Sequence, residues 1–468
     1  MSERNIPMIR KCVFAFRTHP RTNSPRFSAS EYKKTLLILL SLGIVFRVYF
    51  SYAIPPFTSN DEPAHLRYAQ HILAEKKLPN ANLYHDENLA GNEYFQPPLY
   101  YSLAAISIWT VDNPNNQLRI LRIFSIFLWV IAFYFTYKIL SLIKLPAWLS
   151  TSTLAFMALL PSYVVNSSTM TNDTLVVPLT IMSLFFLILV IEKKLSIKLT
   201  ILMALFSALT ILSKVNGLIL IPAALTLIFN SRRKNNRLLL ASTYIFLTLT
   251  FTFWWFLYNY LTYGNWFGPI ESSTAGFTKL PFNPYKIYLI ARGTFTTFWV
   301  AFGPANEIRL PINVYLILFF LTIYALLGNV LYLKKAVSKK TKMIIENKPA
   351  LILSIVLIAN SALFLIFNIN QHQPLGRYLY PSLIQISAIF STGLYFLTPK
   401  IARRFVPSFI ILGLFTLNVW GAITLSNFYN GLAENFAIYG EDECQTATYF
   451  SSTREEYGYS AIRCKLER

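Results

Sequence analysis

Ser59-Asn60-Asp61-Glu62-Pro63-Ala64-His65 lies in the first long polar segment of the chain, which extends from Pro55 to Tyr101 and follows the first apolar run of membrane length. Two acids at such a position are costly to keep near lipid without a purpose. We therefore interpret this loop as half of an active site. Asp61-Glu62-Pro63 also indicates the start of a helix that runs to about Lys77, because a carboxylate can cap free N–H groups and Pro is tolerated at the first helical position.

The composition indicates a polytopic membrane protein. Hydrophobic residues make up 54% of the 468 positions and charged residues only 13%, which is more apolar surface than a soluble core of this size absorbs. The 42 Lys and Arg residues outnumber the 21 acids, but they collect in short segments between apolar runs. That distribution is the positive-inside pattern, so we expect no nucleic-acid partner. Three Cys residues are too few for a disulfide framework or a thiolate metal site.

The topology depends on Pro98 to Val111, an apolar piece of about 14 residues, a length that favours an interfacial or re-entrant segment over a span. With that assumption, every basic cluster between the apolar runs falls on the cytosolic side. The sequence then predicts an all-α protein of about eleven transmembrane helices, with the N-terminus inside and the C-terminus outside. The predicted spans are residues 35–54, 119–141, 147–164, 174–191, 198–213, 217–230, 238–260, 311–333, 350–369, 378–397 and 405–426.

The two long loops on the non-cytosolic face are predicted to carry amphipathic surface helices, the later one within Tyr285 to Phe302. Cys444 and Cys464 both lie in the C-terminal tail, where they either pair in an oxidising compartment or remain free thiols. The predicted parts of the chain are a basic disordered cytosolic arm (1–34), a transmembrane domain (35–426) with its long loops (55–118 and 262–310), and a short non-cytosolic tail (427–468).

A second acid, Asp173, follows Asn172 at a non-cytosolic membrane edge. Under the predicted topology Asp173 shares a face with Asp61, as paired acids that act on one substrate require. The competing interpretation is that each acid only caps a helix. Glu62 and His65, three residues apart on one face of the predicted loop helix, could bind a divalent cation together with Asp61 or orient each other.

Three cations lie at or near external membrane edges, against the positive-inside bias, and this favours an anionic partner such as a lipid phosphate. Arg377 is the best placed, because Gly376-Arg377-Tyr378 puts a planar phosphate-binding fork beside a flexible Gly and an aromatic ring. Lys214 and Arg292 are the other two. For Lys214 the competing explanation is that its side chain snorkels to the interface.

In their order along the chain, these motifs resemble those of the GT-C membrane glycosyltransferases. The resemblance covers about residues 35 to 400. It is greatest to the branch of protein O-mannosyltransferases and aminoarabinose transferases, and to bacterial membrane proteins with an Asp-Glu-Pro-Ala-His motif. The motifs that carry it are Asp61-Glu62, Gln96-Pro97-Pro98-Leu99-Tyr100-Tyr101, Asn172-Asp173, Ser213-Lys214 and Gly376-Arg377-Tyr378-Leu379.

The resemblance implies an enzyme of the bacterial inner membrane that moves a sugar from a polyprenyl-phosphate donor to a glycan, lipid or protein acceptor, with inversion, on the non-cytosolic face. Asp61 would be the general base or orient the acceptor, and Asp173 would place the acceptor or a divalent cation. Arg377, alone or together with Lys214, would stabilise the leaving lipid phosphate. The implied substrate-binding set is Glu62, His65, Asn172, Lys214, Arg292, Arg377 and Tyr378, and the candidate metal ligands are Asp61, Glu62 and His65.

Two other functions stay open from the sequence. A membrane transporter or lipid flippase would place ionisable groups in the middle of the membrane, and Arg47 is the plainest charge inside a predicted span. A non-catalytic envelope-assembly protein would use the acids only to cap helices.

Overall fold

A computed structural model of the chain describes residues 29–59, 61–80, 93–193, 196–230, 236–268, 281–303, 308–338, 348–446 and 462–464. Within these ranges the chain is almost entirely helical. The α-helices are α1 (Ala29–Ala53), α2 (Glu62–Glu75), α3 (Leu99–Ile108), α4 (Pro114–Leu142), α5 (Ala147–Leu159), α6 (Pro161–Asn166), α7 (Asp173–Lys193), α8 (Ile197–Ser213), α9 (Leu220–Phe229), α10 (Arg237–Tyr263), α11 (Pro284–Trp299), α12 (Ile312–Ser338), α13 (Lys348–Gln371), α14 (Leu383–Leu397) and α15 (Val406–Glu443). The strands form two antiparallel pairs, β1 (Ala301–Phe302) with β2 (Ile308–Arg309) and β3 (Cys444–Thr446) with β4 (Ile462–Cys464).

Seven helices of the described chain are long and apolar enough to cross a membrane: α1, α4, α7, α10, α12, α13 and α15. The other four predicted spans fall on shorter or interrupted helices, so seven of the about eleven predicted transmembrane helices have the length and composition of a full span. Residues 147–164 divide into α5 and α6, and residues 378–397 begin as a 3₁₀ turn, Gly376–Ser382, before α14. Of the predicted basic arm, residues 1–28 lie outside the described ranges, and residues 29–34 already belong to α1.

The break between α5 and α6 explains the buried charge of Arg47. Pro161 has no N–H group, so the α5 carbonyls just before it lack helical partners. Side chains from other helices donate hydrogen bonds to these carbonyls. Trp129 Nε1 donates to the Met157 carbonyl at 2.9 Å, and Arg47 Nη1 donates to the Ala158 carbonyl at 2.8 Å. The Arg47 guanidinium also stacks on the Trp129 ring, 3.7 Å from its centroid. Arg47 therefore has a structural role at a broken helix, and the transporter interpretation loses its plainest supporting charge.

The two predicted surface regions differ in exposure. Helix α3 is short, as predicted, but Tyr100, Tyr101 and Ala104 are fully buried in a second hydrophobic cluster that joins α2, α3 and α4. In the later loop, α11 leaves Tyr285 and Tyr288 exposed, as a helix at a membrane surface does. The two described helices of the first loop, α2 and α3, are therefore packed against the helical bundle.

Helix α15 continues to Glu443, well beyond the predicted end of the last span at residue 426. Directly after it, β3 and β4 pair so that the Cα atoms of Cys444 and Cys464 are partners in register. Opposed Cα atoms of an antiparallel pair lie roughly 4.5–5.5 Å apart. That range falls within the Cα separation of about 4.4–6.8 Å that disulfides require.

We therefore expect Cys444 and Cys464 to form a disulfide when the tail faces an oxidising compartment. In the denatured, unreduced protein, a maleimide reagent should label only Cys12, whereas after reduction it should label all three Cys residues. Cys444→Ser is the matched control and should leave Cys464 open to labelling without reductant. Labelling of all three thiols in the unreduced wild type would contradict the prediction.

Candidate active site

Asp61 does not cap the loop helix, so that interpretation of its carboxylate was wrong. Helix α2 begins at Glu62 with Pro63 in its first turn, as predicted, but Asp61 has a left-handed backbone (φ 66°) and makes no side-chain capping bond. Such a conformation is uncommon outside glycine, although Asp tolerates it better than most residues. The side chain of Asp61 instead joins a cluster of charged side chains that includes Arg377.

Four of the predicted site residues meet in this cluster. Arg377 Nη2 donates to Asp61 Oδ2 at 3.0 Å, and Arg377 Nε lies 3.7 Å from Asp173 Oδ2. Lys214 Nζ donates to the other oxygen of Asp173, Oδ1, at 2.5 Å. Two acids and two cations, drawn from segments far apart in the sequence, thus form one linked ion network. The side chains of Asp61 and Arg377 are each 18% exposed, against 5% for Asp173, so ligands reach the network from the Asp61 side.

Helix ends and breaks bring these side chains together. Asp173 is the first residue of α7, and Lys214 follows the last residue of α8. Arg377 lies in the 3₁₀ turn before α14, whose first residue, Gly376, packs against α11 so closely that a Cβ there would lie 2.4 Å from Phe298 Cα. Only glycine allows this approach.

Two further predicted residues border the network, and one does not. The Tyr378 ring lies 5.0 Å from Lys214 Nζ, and its hydroxyl donates to Gln373 Oε1. Asn172 is buried, and its Nδ2 donates to Gln96 Oε1 at 3.3 Å. The side chain of Arg292 is on the exposed surface of α11, and none of the described contacts joins it to the network.

Glu62 is not part of this network. Its carboxylate is fully buried and accepts two hydrogen bonds from Arg122, one of them at 2.7 Å from Nη2. The predicted metal ligation by Glu62 therefore does not fit, because both of its oxygens are already bound. Arg122 was missed in the sequence, where its signal is a charge inside the predicted span 119–141.

Asp61 and His65 form a candidate metal site with Glu93 instead. One ligating atom from each residue lies within 4.8 Å of the others. The His65 Nδ1 atom is hydrogen-bonded to the Tyr101 hydroxyl at 2.9 Å, so Nε2 is the nitrogen available to a cation. Glu93 Oε2 is buried with no hydrogen-bond partner among the described residues. The sequence pointed to Glu93 only by its place three residues before Gln96-Pro97.

The electrostatics distinguish these three groups. Burial would raise the pKa of Asp61, but the positive charges of Arg377 and Lys214, together with the hydrogen bond from Arg377, hold the pKa below its usual value. Burial lowers the pKa of His65 to about 4, so the imidazole is neutral at physiological pH. Burial raises the pKa of Glu93 to about 8, and the charge of Asp61 adds to this effect. Asp61 is thus an ionised acid beside a proton-bearing carboxyl group and a neutral imidazole.

Arg377 also forms part of the wall of an open cavity of about 620 Å³, mouth included. Neutral hydrogen-bonding side chains dominate its polar lining: Ser59, Ser162, Asn166, Thr169, Thr171, Thr297 and Tyr380. An ionised acid, a phosphate-binding fork and a polar cavity therefore adjoin one another.

A family model and several solved structures are similar to this chain. Residues 96–258 match the family model described as dolichyl-phosphate-mannose-protein mannosyltransferase. The crystal structure of ArnT from Cupriavidus metallidurans in the apo state is similar with a TM-score of 0.50 at 11% identity, covering 85% of this chain and 76% of that one. No curated protein sequence matches the chain significantly.

The oligosaccharyltransferase AglB from Archaeoglobus fulgidus is also similar. Its complex with an inhibitory peptide and a dolichol-phosphate has a TM-score of 0.58 at 12% identity and covers 95% of this chain. A complex of the Archaeoglobus fulgidus oligosaccharyltransferase with Zn and sulfate has a TM-score of 0.51 at 14% identity and covers 93% of this chain. The present chain spans only 61% and 57% of those two chains. Residues 96–258 thus match this family model, and the fold of the chain is similar to those of ArnT and AglB.

Proposed function

We propose that the chain transfers a sugar from a polyprenyl-phosphate donor to an acceptor hydroxyl, with inversion, on the non-cytosolic face of a bacterial inner membrane. The observation that carries this proposal is the position of Arg377, which contacts Asp61, approaches Asp173 and lines the polar cavity. A single guanidinium can thereby meet a donor phosphate beside the acid that acts on the acceptor.

In the proposed step, Asp61 accepts the proton of the acceptor hydroxyl. The acceptor oxygen forms a bond to the anomeric carbon as the bond from that carbon to the phosphate oxygen breaks. The leaving polyprenyl phosphate takes the bonding electron pair, and Arg377 and Lys214 stabilise its charge. Asp173 holds Lys214 in place for this role and helps to position the acceptor. Attack opposite the leaving group inverts the configuration of the sugar.

Because Asp61 and Arg377 form an ion pair, binding of the donor phosphate should also change the basicity of Asp61. An arriving phosphate competes with Asp61 for the same guanidinium, because Arg binds phosphate and carboxylate through the same fork of N–H groups. Asp61 then loses the cation that keeps its pKa low, and it becomes a stronger base when donor is bound. The AglB complex that contains dolichol-phosphate supports a carrier of this lipid class.

Product analysis tests the proposal. The purified protein is incubated with polyprenyl-phosphate-linked sugars and a panel of glycan, lipid and peptide acceptors, and released polyprenyl phosphate is measured. We expect release that depends on one donor and one acceptor, and a product whose anomeric configuration, determined by NMR, is opposite to that of the donor. Retention of configuration would exclude the single displacement, and no release with any donor would exclude the function.

We further propose that Asp61, His65 and Glu93 hold a divalent cation. Two carboxylate oxygens and an imidazole nitrogen suit Zn²⁺ or Mn²⁺ better than Ca²⁺. Bound there, the cation would act as a Lewis acid on a phosphate or acceptor oxygen. The residues themselves orient the site, since Tyr101 fixes the ring of His65.

Metal content tests this site. After purification without chelator, the wild type should retain Zn²⁺ or Mn²⁺ measured by mass spectrometry, and Glu93→Gln should lose most of it because one ligand oxygen becomes a poorly ligating amide. Glu75→Gln, at an exposed acid of α2, is the matched control and should retain the metal. Equal metal content in wild type and Glu93→Gln would contradict the ligand set.

A further inference from the structure

The buried pair of Glu62 and Arg122 lies next to the ion network without being part of it. Arg122 Nε donates to Glu62 Oε1 at 2.9 Å, and Nη2 donates to Oε2 at 2.7 Å, which is the bidentate geometry of a strong charged pair. Glu62 is 0% exposed and Arg122 is 2% exposed. Neither residue lines the cavity beside Arg377, so neither meets the substrate there.

Arg122 also binds the end of the first span. Its Nη1 donates to the carbonyls of Ser51 at 2.8 Å and Ile54 at 2.6 Å, and Nη2 donates to the carbonyl of Pro55 at 3.2 Å. These carbonyls lie at and just after the C-terminal end of α1, where a helix leaves acceptors without helical donors. All five N–H groups of the guanidinium are therefore used, which a lysine cannot reproduce.

Glu62 extends the same connection to the second acid. Its Oε1 accepts a hydrogen bond from the backbone N–H of Met170 at 3.0 Å, three residues before Asp173. Glu62 itself directly follows Asp61, whose left-handed backbone must be held by its surroundings. One buried ion pair thus joins α1, α4 and the two segments that carry the acids.

We propose that Glu62 and Arg122, which we call the clamp, are positioning residues that set the spacing of Asp61 and Asp173. The inference rests on the proposed function, because it concerns the geometry in which those acids act. The clamp should govern kcat more than donor binding, since Arg377 and Lys214, which meet the phosphate, are not among its contacts. A displacement of about 1 Å at reacting groups can lower a rate about 100-fold.

Single conservative variants test the kinetic consequence. Arg122→Lys keeps the charge but loses the five-bond geometry, and Glu62→Gln keeps the shape but loses the charge. We expect each to lower kcat about 100-fold with little change in donor KM. Arg119→Lys, at an exposed residue one turn earlier on α4, is the matched control and should have wild-type kinetics. A large rise in donor KM with unchanged kcat would overturn the positioning role.

A double variant separates positioning from folding. Breaking one partner leaves a buried unpaired charge, whereas replacing both with apolar residues of similar size is often neutral for stability. Glu62→Leu/Arg122→Met removes both buried charges but also the donor to the carbonyls of Ser51, Ile54 and Pro55, so it should unfold in detergent below the wild-type temperature but above either single apolar variant, and still have low kcat. Wild-type turnover in this folded double variant would overturn the inference. If the double variant is unfolded at the assay temperature, the effects of Arg122→Lys on kcat and on donor KM test the positioning role instead. An inactive wild type would instead refute the proposed function.

Discussion

Asp61→Asn should abolish the release of polyprenyl phosphate while the protein is still made and inserted. The carboxylate of Asp61 can take the proton from the acceptor hydroxyl, whereas the amide of asparagine cannot. Asparagine has the same size and can still accept a hydrogen bond from Arg377. A positioned general base contributes about 10²–10⁴-fold to a rate, so kcat should fall by that range. Donor KM should change less, or decrease, because Arg377 is no longer shared with a negative charge at this position.

The measurement is steady-state release of polyprenyl phosphate from a lipid-linked sugar, with expression and detergent unfolding temperature recorded for each variant. Asp112→Asn removes an exposed acid from the same predicted loop and is the matched control, with expected wild-type turnover. Undiminished turnover by Asp61→Asn would remove the catalytic assignment and favour an envelope-assembly role in which the acids serve only the fold.

Arg377→Gln should have the second largest effect. It removes the cation that pairs with Asp61 at 3.0 Å and lies near Asp173, and it removes the proposed partner of the leaving phosphate. Loss of one electrostatic donor to a developing negative charge costs about 10²–10³ in kcat. Donor KM should rise as well, because the ground-state phosphate carries charge too.

Arg377→Lys refines the same experiment. Lysine restores a positive charge without the planar fork, so it should recover donor KM more than kcat. Arg404→Gln, at an exposed arginine in a different loop, should have wild-type values. If Arg377→Gln had the wild-type kcat and donor KM, the phosphate would have to bind elsewhere. Lys214 would then be the remaining cation of the network.

The sequence predicted which charges meet because topology alone restricts them to one face. Asp61, Asp173, Lys214 and Arg377 each lie at the end of an apolar segment, and a consistent assignment of sides was sufficient to group them. The same reasoning failed for Glu62, whose partner Arg122 lies inside an apolar run. Pairing between a loop and the buried part of a helix is set by tertiary packing, which hydropathy does not describe.

The interruption of some predicted spans could not be predicted for a related reason. Hydropathy records that residues 147–164 are apolar, but it does not record that Pro161 removes a hydrogen bond in their middle. Glu93 was missed because nothing local distinguishes it from any other loop acid. Its proximity to Asp61 is a matter of tertiary structure, since the two residues lie 32 positions apart in the sequence.

The break at Pro161 has a consequence for how the protein is made. The carbonyls just before Pro161 accept hydrogen bonds from Arg47 of α1 and Trp129 of α4. The carbonyl of Leu159 accepts one at 2.7 Å from Nδ2 of Asn418, in α15. An unsatisfied carbonyl is costly in lipid, and α15 follows every other described helix in the chain, so it is synthesised after them. The carbonyls at the break can therefore lose their contact with water only after α15 has been made. Nascent chains that stop before α15 should insert into the membrane with this break still hydrated, which leaves the segment before Asp173 unfinished.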